Sequence, residues 1–163
     1  MQRNRVMNTD INVDIKKMPE LRTAAVRHLG PYDQISEAFD RLHQAVSSTN
    51  LVRDKVPLLA IYHDDPEMTP EPELRSDAAI VIPKEAKVPP GLREQRVPAG
   101  RYACATHVGP YDRLPEVWRE LLGHWLPLSG ERLGKGTTFE MYLNTPEDVP
   151  KEQLRTELYV PLD

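Results

Sequence analysis

This chain of 163 residues lacks the sequence features that are typical of several protein classes. Its single cysteine, Cys104, excludes an internal disulfide and is typical of a reducing compartment. It has no apolar run long enough to span a bilayer and no recognisable signal peptide, which predicts a cytoplasmic protein with no membrane partner. It also has no basic run, so we expect no direct binding of nucleic acid.

Motifs for common cofactors and metals are lacking as well. There is no phosphate loop, dinucleotide-binding glycine pattern, nucleophile elbow or zinc-ligand spacing. The segment His63-Asp64-Asp65 resembles a metal cluster only in composition, because neighbouring strand residues point to opposite faces and Asp-Asp-Pro is typical of a turn. The sequence therefore predicts neither a metal nor a cofactor.

The composition is that of a folded domain. Hydrophobic residues make up 39% of the chain, which is enough for a core, and the formal net charge is −4. The length fits one domain or two packed half-domains. A mildly acidic protein suits cationic ligands slightly better than anionic ones.

An internal repeat is the most informative feature that is present. RTAAVRHLGPYD at residues 22–33 recurs as RYACATHVGPYD at residues 101–112, with His28 and His107 separated by 79 positions. Further along the chain the separation becomes 80, where IYHDDP (61–66) matches MYLNTP (141–146). This period is far longer than that of solenoid repeats, so the chain is predicted to be a duplicated module.

Each predicted copy has the element order ββαββ. Repeat one covers about residues 9–83, the proline-rich linker about 84–91 and repeat two about 92–163, all within a single domain. We expect an α+β fold with pseudo-two-fold symmetry and a central ligand cleft between the copies. The predicted strands are Ile11–Ile15, Arg22–Leu29, Leu58–His63, Ala78–Ile82, Glu94–Val97, Arg101–Val108, Thr137–Leu143 and Leu154–Val160. The predicted helices open at Pro31 and Pro110, where the missing proline N–H needs no partner.

The two copies differ at one chemically important position. Ala60 in the third strand of repeat one matches Glu140 in repeat two. Glutamate is rarely buried in a strand without a partner. Strand periodicity places Glu140 and Tyr142 on one face, with Ala60 and Tyr62 on the matching face of the other copy.

Two interpretations of Glu140 remain open. The carboxylate is either the counter-ion of a cation bound over aromatic faces, or one half of a structural salt bridge to Arg101 or Arg155. The matched histidines, His28 and His107, are better explained by folding, since each ring nitrogen can satisfy a loop carbonyl. The matched helix residues Phe39 and Trp118 pack in the core or line the cleft; the sequence leaves both open.

The helix entry HxGPYD and the segments IYHDDPEMTP, LRSDAAIVIP and FEMYLN resemble the GyrI-like, or gyrase-inhibitor-like, family over roughly residues 9–163. That family shares its fold with the effector-binding domains of AraC-type and MerR-type multidrug regulators. The resemblance implies a cleft for cationic and aromatic small molecules, with Glu140 inside it. No helix-turn-helix segment precedes the module, which favours the stand-alone branch.

The leading hypothesis is thus a stand-alone binding protein for cationic or aromatic small molecules or toxins. Glu140 is its expected counter-ion, and the side chains expected to enclose the ligand are Tyr32, Phe39, Tyr62, Tyr111, Trp118 and Tyr142. The resemblance also implies two alternatives. One is inhibition of DNA gyrase by protein–protein contact, for which the acidic loop 64–73 is the candidate surface. The other is hydrolysis of cyclopropane-type genotoxins, with Glu140 as the catalytic carboxylate that activates a water.

Overall fold

The computed structural model describes residues 11–53 and 56–163, which form parts of two compact units. Unit 1 contains residues 11–19, Ala99–Gly136 and Glu140–Asp163. Unit 2 contains the described part of Glu20–Pro98 together with Thr137–Phe139.

The regular elements alternate much as the sequence predicts. The strands are β1 Val13–Met18, β2 Leu21–Leu29, β3 Leu58–Tyr62, β4 Arg75–Val81, β5 Arg93–Val97, β6 Gly100–Val108, β7 Thr138–Tyr142 and β8 Arg155–Pro161. The helices are α1 Ser36–Val46, α2 Asn50–Arg53, α3 Leu114–Glu120, a π-helical turn Leu121–Trp125 and α4 Leu126–Ser129. Short 3₁₀ turns cover Tyr32–Gln34, Glu71–Glu73, Tyr111–Arg113 and Lys151–Gln153. In the described part of the chain, no helix is both long and apolar enough to cross a membrane.

Within each unit the strands pair antiparallel. In unit 1, β6 pairs with both β1 and β8, and β7 is the neighbour of β8 on its other side. In unit 2, β4 pairs with β3 and β2, and β2 also pairs with β5. Helices pack on one side of these sheets, so the predicted α+β class is confirmed.

The first strand of each predicted repeat pairs with a strand of the other repeat. Val13–Met18 precedes the linker, yet it pairs with β6, which follows the linker. Arg93–Val97 follows the linker, yet it pairs with β2. Each compact unit therefore combines segments from both halves of the chain. The duplication itself, with its pseudo-two-fold symmetry, stays a prediction.

One face of each sheet packs against helix. Alternating apolar residues of neighbouring strands supply the sheet side of each core, as the two-residue period of a strand requires. In unit 1 the buried cluster is Val13, Ala103, Ala105, Leu114, Val117, Leu121, Trp125, Leu158, Val160 and Leu162. In unit 2 it is Ala24, Val26, Ala38, Leu42, Val46, Ala78, Ile80 and Ile82.

The turn from strand to helix is built in the same way in both units. Gly30 has φ +121° and Gly109 has φ +138°, values that residues with a side chain rarely adopt. The amide of Gly30 donates to the carbonyl of Leu74, and that of Gly109 to Leu154, both at 2.8 Å. A 3₁₀ turn follows each glycine-proline pair, so the α-helix begins several residues later than the predicted opening at Pro31.

The π-helical turn accounts for the change in repeat spacing from 79 to 80. Leu42 in α1 and Leu121 are fully buried and lie 79 positions apart. The turn Leu121–Trp125 then adds one residue, because π-type hydrogen bonding spans one residue more than α-type bonding. The corresponding part of α1 is regular α-helix.

Matched hydrogen bonds after this turn keep the spacing of 80. Thr49 Oγ1 donates to the carbonyl of Val46 at 2.7 Å, and Ser129 Oγ donates to the carbonyl of Leu126 at 2.8 Å. The added residue therefore lies between Leu121 and Leu126.

Gly134 fixes the segment that leads into β7. Its amide donates to the carbonyl of Pro161 at 2.8 Å, next to the bridge between Leu133 and Leu162. A Cβ atom at Gly134 would lie 2.5 Å from the backbone C and O atoms of Leu162. Only glycine fits this contact without a shift of the backbone.

We expect Gly134→Ala to lower the free energy of unfolding by about 1–3 kcal/mol, because the added methyl group overlaps backbone rather than a flexible side chain. Gly123→Ala is the matched control, since nothing lies within 4 Å of a Cβ atom there. Its helical position makes the change neutral or stabilising by up to about 1 kcal/mol. Urea denaturation of the three proteins tests this, and equal stability of both variants would contradict the close contact.

Candidate functional site

Glu140 is a buried carboxylate in the middle of β7. The residue is 4% exposed, between Phe139 at 0% and Met141 at 9%. A buried carboxylate is stable only when other groups compensate for its lost hydration. Its partners therefore determine what this strand can do.

Two neutral donors hold the Glu140 carboxylate. The indole Nε1–H of Trp118 donates to Oε2 at 2.5 Å. The hydroxyl of Tyr142 donates to Oε1 at 2.6 Å. The predicted placement of Glu140 and Tyr142 on one face of the strand is thus confirmed. The bond from Trp118 was not predicted.

The sequence of α3 explains how Trp118 reaches the strand. Pro115 lies in the first turn, where a proline is tolerated, and Leu114, Val117 and Leu121 are buried at three- and four-residue spacing. Trp118 borders this apolar face and is partly buried against the same core. Its indole N–H therefore finds a polar partner at the edge of the core, as buried tryptophans usually do.

Tyr111 completes this group. Its ring lies 5.5 Å from that of Tyr142, at an interplanar angle of 65°. Burial raises the pKa of Tyr111, and the nearby charge of Glu140 raises it further. We name Glu140, Trp118, Tyr142 and Tyr111 the Glu140 cluster; all four belong to unit 1.

The remaining predicted site residues lie in unit 2. The rings of Tyr32 and Tyr62 are 4.7 Å apart. The Tyr32 hydroxyl donates to the carbonyl of Asp64 at 2.7 Å, and burial raises the pKa of Tyr32. Phe39 packs against the core of that unit. The structure thus places four of the seven predicted residues together; of the other three, Tyr32 and Tyr62 contact each other and Phe39 packs against the core of unit 2.

Arg101, the first candidate partner for a salt bridge to Glu140, bonds other groups. Arg101 instead bonds Glu131, with Nη2 3.2 Å from Oε1, and the carbonyl of Asp163. Arg155 is exposed at the start of β8. The partners expected from the sequence were cationic, whereas the indole of Trp118 is a neutral donor.

The structural role of the matched histidines is confirmed. His28 Nε2 lies 2.9 Å from the carbonyl oxygen of Pro31, and His107 Nε2 lies 3.0 Å from that of Pro110. Because a carbonyl only accepts, each Nε2 carries the hydrogen. Among the residues that the structure describes, no three or more His, Cys, Asp or Glu side chains are placed to hold a metal ion.

The Glu140 cluster combines negative charge with aromatic surface. Neither the indole N–H nor the phenol hydroxyl is charged, so these two hydrogen bonds leave the negative charge of the carboxylate in place. Aromatic faces add to that attraction when the cation lies over them. The arrangement is chemically suited to a flat or bulky organic cation.

Comparison with known proteins confirms the family resemblance. The family model for the GyrI-like small molecule binding domain matches residues 11–163. A DNA gyrase inhibitor of Erwinia billingiae is 31% identical over 157 residues, which cover 93% of this chain and 97% of that protein.

Solved structures show the same fold. The EcmrR C-terminal domain superposes with a TM-score of 0.78 at 19% identity and covers 95% of this chain and 99% of its own. SAV2435, solved with bound tetraphenylphosphonium, has a TM-score of 0.62 at 12% identity and covers 93% of each chain.

Because Trp118 and Glu140 share a buried bond, their substitutions should not have additive effects. We expect Trp118→Phe to lower the free energy of unfolding by about 1–3 kcal/mol, since it leaves Oε2 without that donor. In the background of Glu140→Leu, which removes the acceptor, the same change should cost clearly less. A double-mutant cycle by urea denaturation measures the difference. Equal costs in both backgrounds would show that the bond contributes nothing.

Proposed function

Since the chain belongs to the family of GyrI-like small-molecule-binding domains, we propose that it binds aromatic organic cations at the Glu140 cluster. The observation that carries this proposal is a 4%-exposed carboxylate whose two oxygens accept hydrogen bonds only 2.5 and 2.6 Å long from uncharged donors. A group of this kind supplies negative charge in a setting of low polarity, where charge interactions are strong.

The donors also orient the carboxylate before any ligand arrives. Trp118 on α3 and Tyr142 on β7 each fix one oxygen, so Glu140 loses little side-chain freedom on binding. Such pre-organisation increases affinity because less conformational entropy is lost when the ligand binds.

The aromatic members of the cluster supply the second part of the recognition. The rings of Tyr111 and Tyr142 lie edge-on to each other, and the Tyr142 hydroxyl bonds the carboxylate. The tetraphenylphosphonium bound to SAV2435, a protein of the same fold, belongs to the ligand class proposed here. Contacts from Tyr32, Tyr62 and Phe39, and a ligand position between the two repeats, stay predictions.

Tetraphenylphosphonium is the probe of choice, since it is cationic, aromatic and unable to donate hydrogen bonds. We expect it to raise the melting temperature of the wild type by ligand linkage. Glu140→Gln should weaken its binding about tenfold or more, because the counter-ion is lost. Isothermal titration calorimetry gives both dissociation constants independently of any change in stability.

Glu147→Gln is the matched control, since it makes the same charge change at an exposed position of unit 1. It should bind the cation as the wild type does, and neutral triphenylphosphine oxide should bind all three proteins weakly. Equal affinity of Glu140→Gln and wild type for the cation would refute the proposal. Recovery of a chemically altered ligand would instead support the hydrolase alternative.

A second candidate function is inhibition of DNA gyrase, which is favoured by the 31% identity to the Erwinia billingiae gyrase inhibitor over most of both chains. The structure describes an exposed acidic loop that fits such a contact. Glu67, Glu71 and Glu73 are exposed there, whereas Asp64 is engaged by Arg75 through bonds of 2.8 and 3.0 Å.

We expect excess protein to inhibit supercoiling by purified gyrase, and the variant Glu67→Gln/Glu71→Gln/Glu73→Gln to inhibit less, because charge steers protein association. The control is Glu147→Gln/Glu152→Gln in the matching loop of unit 1. Absence of inhibition by the wild type would eliminate this candidate. Equal inhibition by all three proteins would instead exclude the acidic loop as the contact.

A further inference from the structure

A second buried carboxylate, outside the Glu140 cluster, lies at the centre of a basic group in unit 2. Asp77 in β4 is fully buried. Ala78 and Ile80, two residues apart on the same strand, both pack in the helix-covered core. Asp77, one position earlier than Ala78, therefore points to the opposite face of the sheet.

Three side chains converge on Asp77. Arg27, directly opposite on β2, bonds Oδ1 through Nε at 2.8 Å. Arg93 on β5 bonds the same oxygen through Nη2 at 3.2 Å, and His63, just after β3, bonds Oδ2 through Nε2 at 2.6 Å. Burial raises the pKa of Asp77, but the hydrogen bonds from His63 and Arg27 outweigh burial and lower it overall. The carboxylate therefore stays ionised at neutral pH.

One carboxylate cannot neutralise two guanidinium groups, so the group carries excess positive charge. Each guanidinium has five N–H donors, and Arg27 and Arg93 each direct one of them to Asp77. Because both nitrogens bond the same oxygen, they lie no more than 6.0 Å apart, the sum of the two bond lengths. The side chains of Arg27 and Arg93 are 29% and 47% exposed, so both reach solvent in part.

The matching position in unit 1 is built differently. Glu157 lies 80 residues after Asp77; among the residues that the structure describes it has one cationic partner, Lys16, at 3.3 Å, and it also accepts from the hydroxyl of Tyr159 at 2.8 Å. One lysine balances one glutamate there. Glu157, whose side chain is 15% exposed, bonds one lysine, whereas the fully buried carboxylate of Asp77 bonds two arginines.

We propose that Arg27 and Arg93, held side by side by Asp77, form a binding site for a small oxyanion, namely a phosphoryl or carboxylate group. Planar guanidinium groups match such oxyanions through paired hydrogen bonds. Asp77 fixes the spacing of the two arginines and lowers their mutual repulsion, while their outward donors contact the ligand. The site is independent of the Glu140 cluster and has the opposite preference in charge.

Inorganic phosphate and acetate are the probes, each titrated at constant ionic strength into the full chain. Binding is followed by the arginine Nε–H signals in ¹H–¹⁵N NMR spectra. We expect saturable shifts of the Arg27 and Arg93 signals, and an affinity reduced about tenfold or more in Arg93→Gln, which removes charge-assisted bonds but leaves Arg27 to balance Asp77.

Arg96→Gln is the matched control, because Arg96 lies on the same strand, is exposed and bonds Glu94 and Glu20 instead. It should bind the probes as the wild type does. Preference for phosphate or for acetate identifies the ligand group. No saturable shift in the wild type, or equal weakening in Arg93→Gln and Arg96→Gln, would overturn the proposal.

Discussion

The hydrogen-bonded burial of Glu140 is the constraint on which the candidate ligand site depends. A carboxylate that is 4% exposed in an apolar strand would oppose folding unless other groups replaced its hydration. Trp118 and Tyr142 do so from α3 and from the same strand, which ties the helix of unit 1 to β7 through polar contact as well as packing. The site is therefore part of what holds this unit together.

The pairing of the first strands explains how that unit is assembled. β1 closes one side of β6, while β8 lies on its other side and carries the core residues that face α3. The strands β2 to β5 and the linker lie between β1 and β6 in the sequence. β1 and β6 must nevertheless meet before the sheet of unit 1 is complete. Such long-range pairing must meet its loop-closure cost before its contacts form, which is expected to slow folding.

The sequence could predict the elements because local patterns determine them. The alternation of apolar and polar residues predicted the strands, and the glycine-proline pairs predicted the turns at Gly30 and Gly109. The change of spacing from 79 to 80 was visible as well, but its physical form was not. One inserted residue is equally compatible with a longer loop, and only the structure shows a π-helical turn at Leu121–Trp125.

The sequence predicted site contacts within one strand, but it did not predict contacts that depend on how separate elements pack. Glu140 and Tyr142 are two residues apart, so strand periodicity alone put them together. Trp118 is 22 positions from Glu140, and its role depends on how α3 packs on the sheet. Neither Arg27 nor Arg93 stands out in the sequence, because the register of β2 with β4 and β5 brings them to Asp77.

The two carboxylate groups show how similar frameworks acquire opposite chemistry. At Glu140 the donors from Trp118 and Tyr142 are neutral and leave the negative charge in place, which is the basis of the proposed cation site. At Asp77 the donors are mostly cationic and more numerous than one carboxylate can neutralise, so positive charge remains. The sign of each site thus follows from the partners of a buried acid rather than from the acid itself. A net charge of −4 for the whole chain predicts neither site.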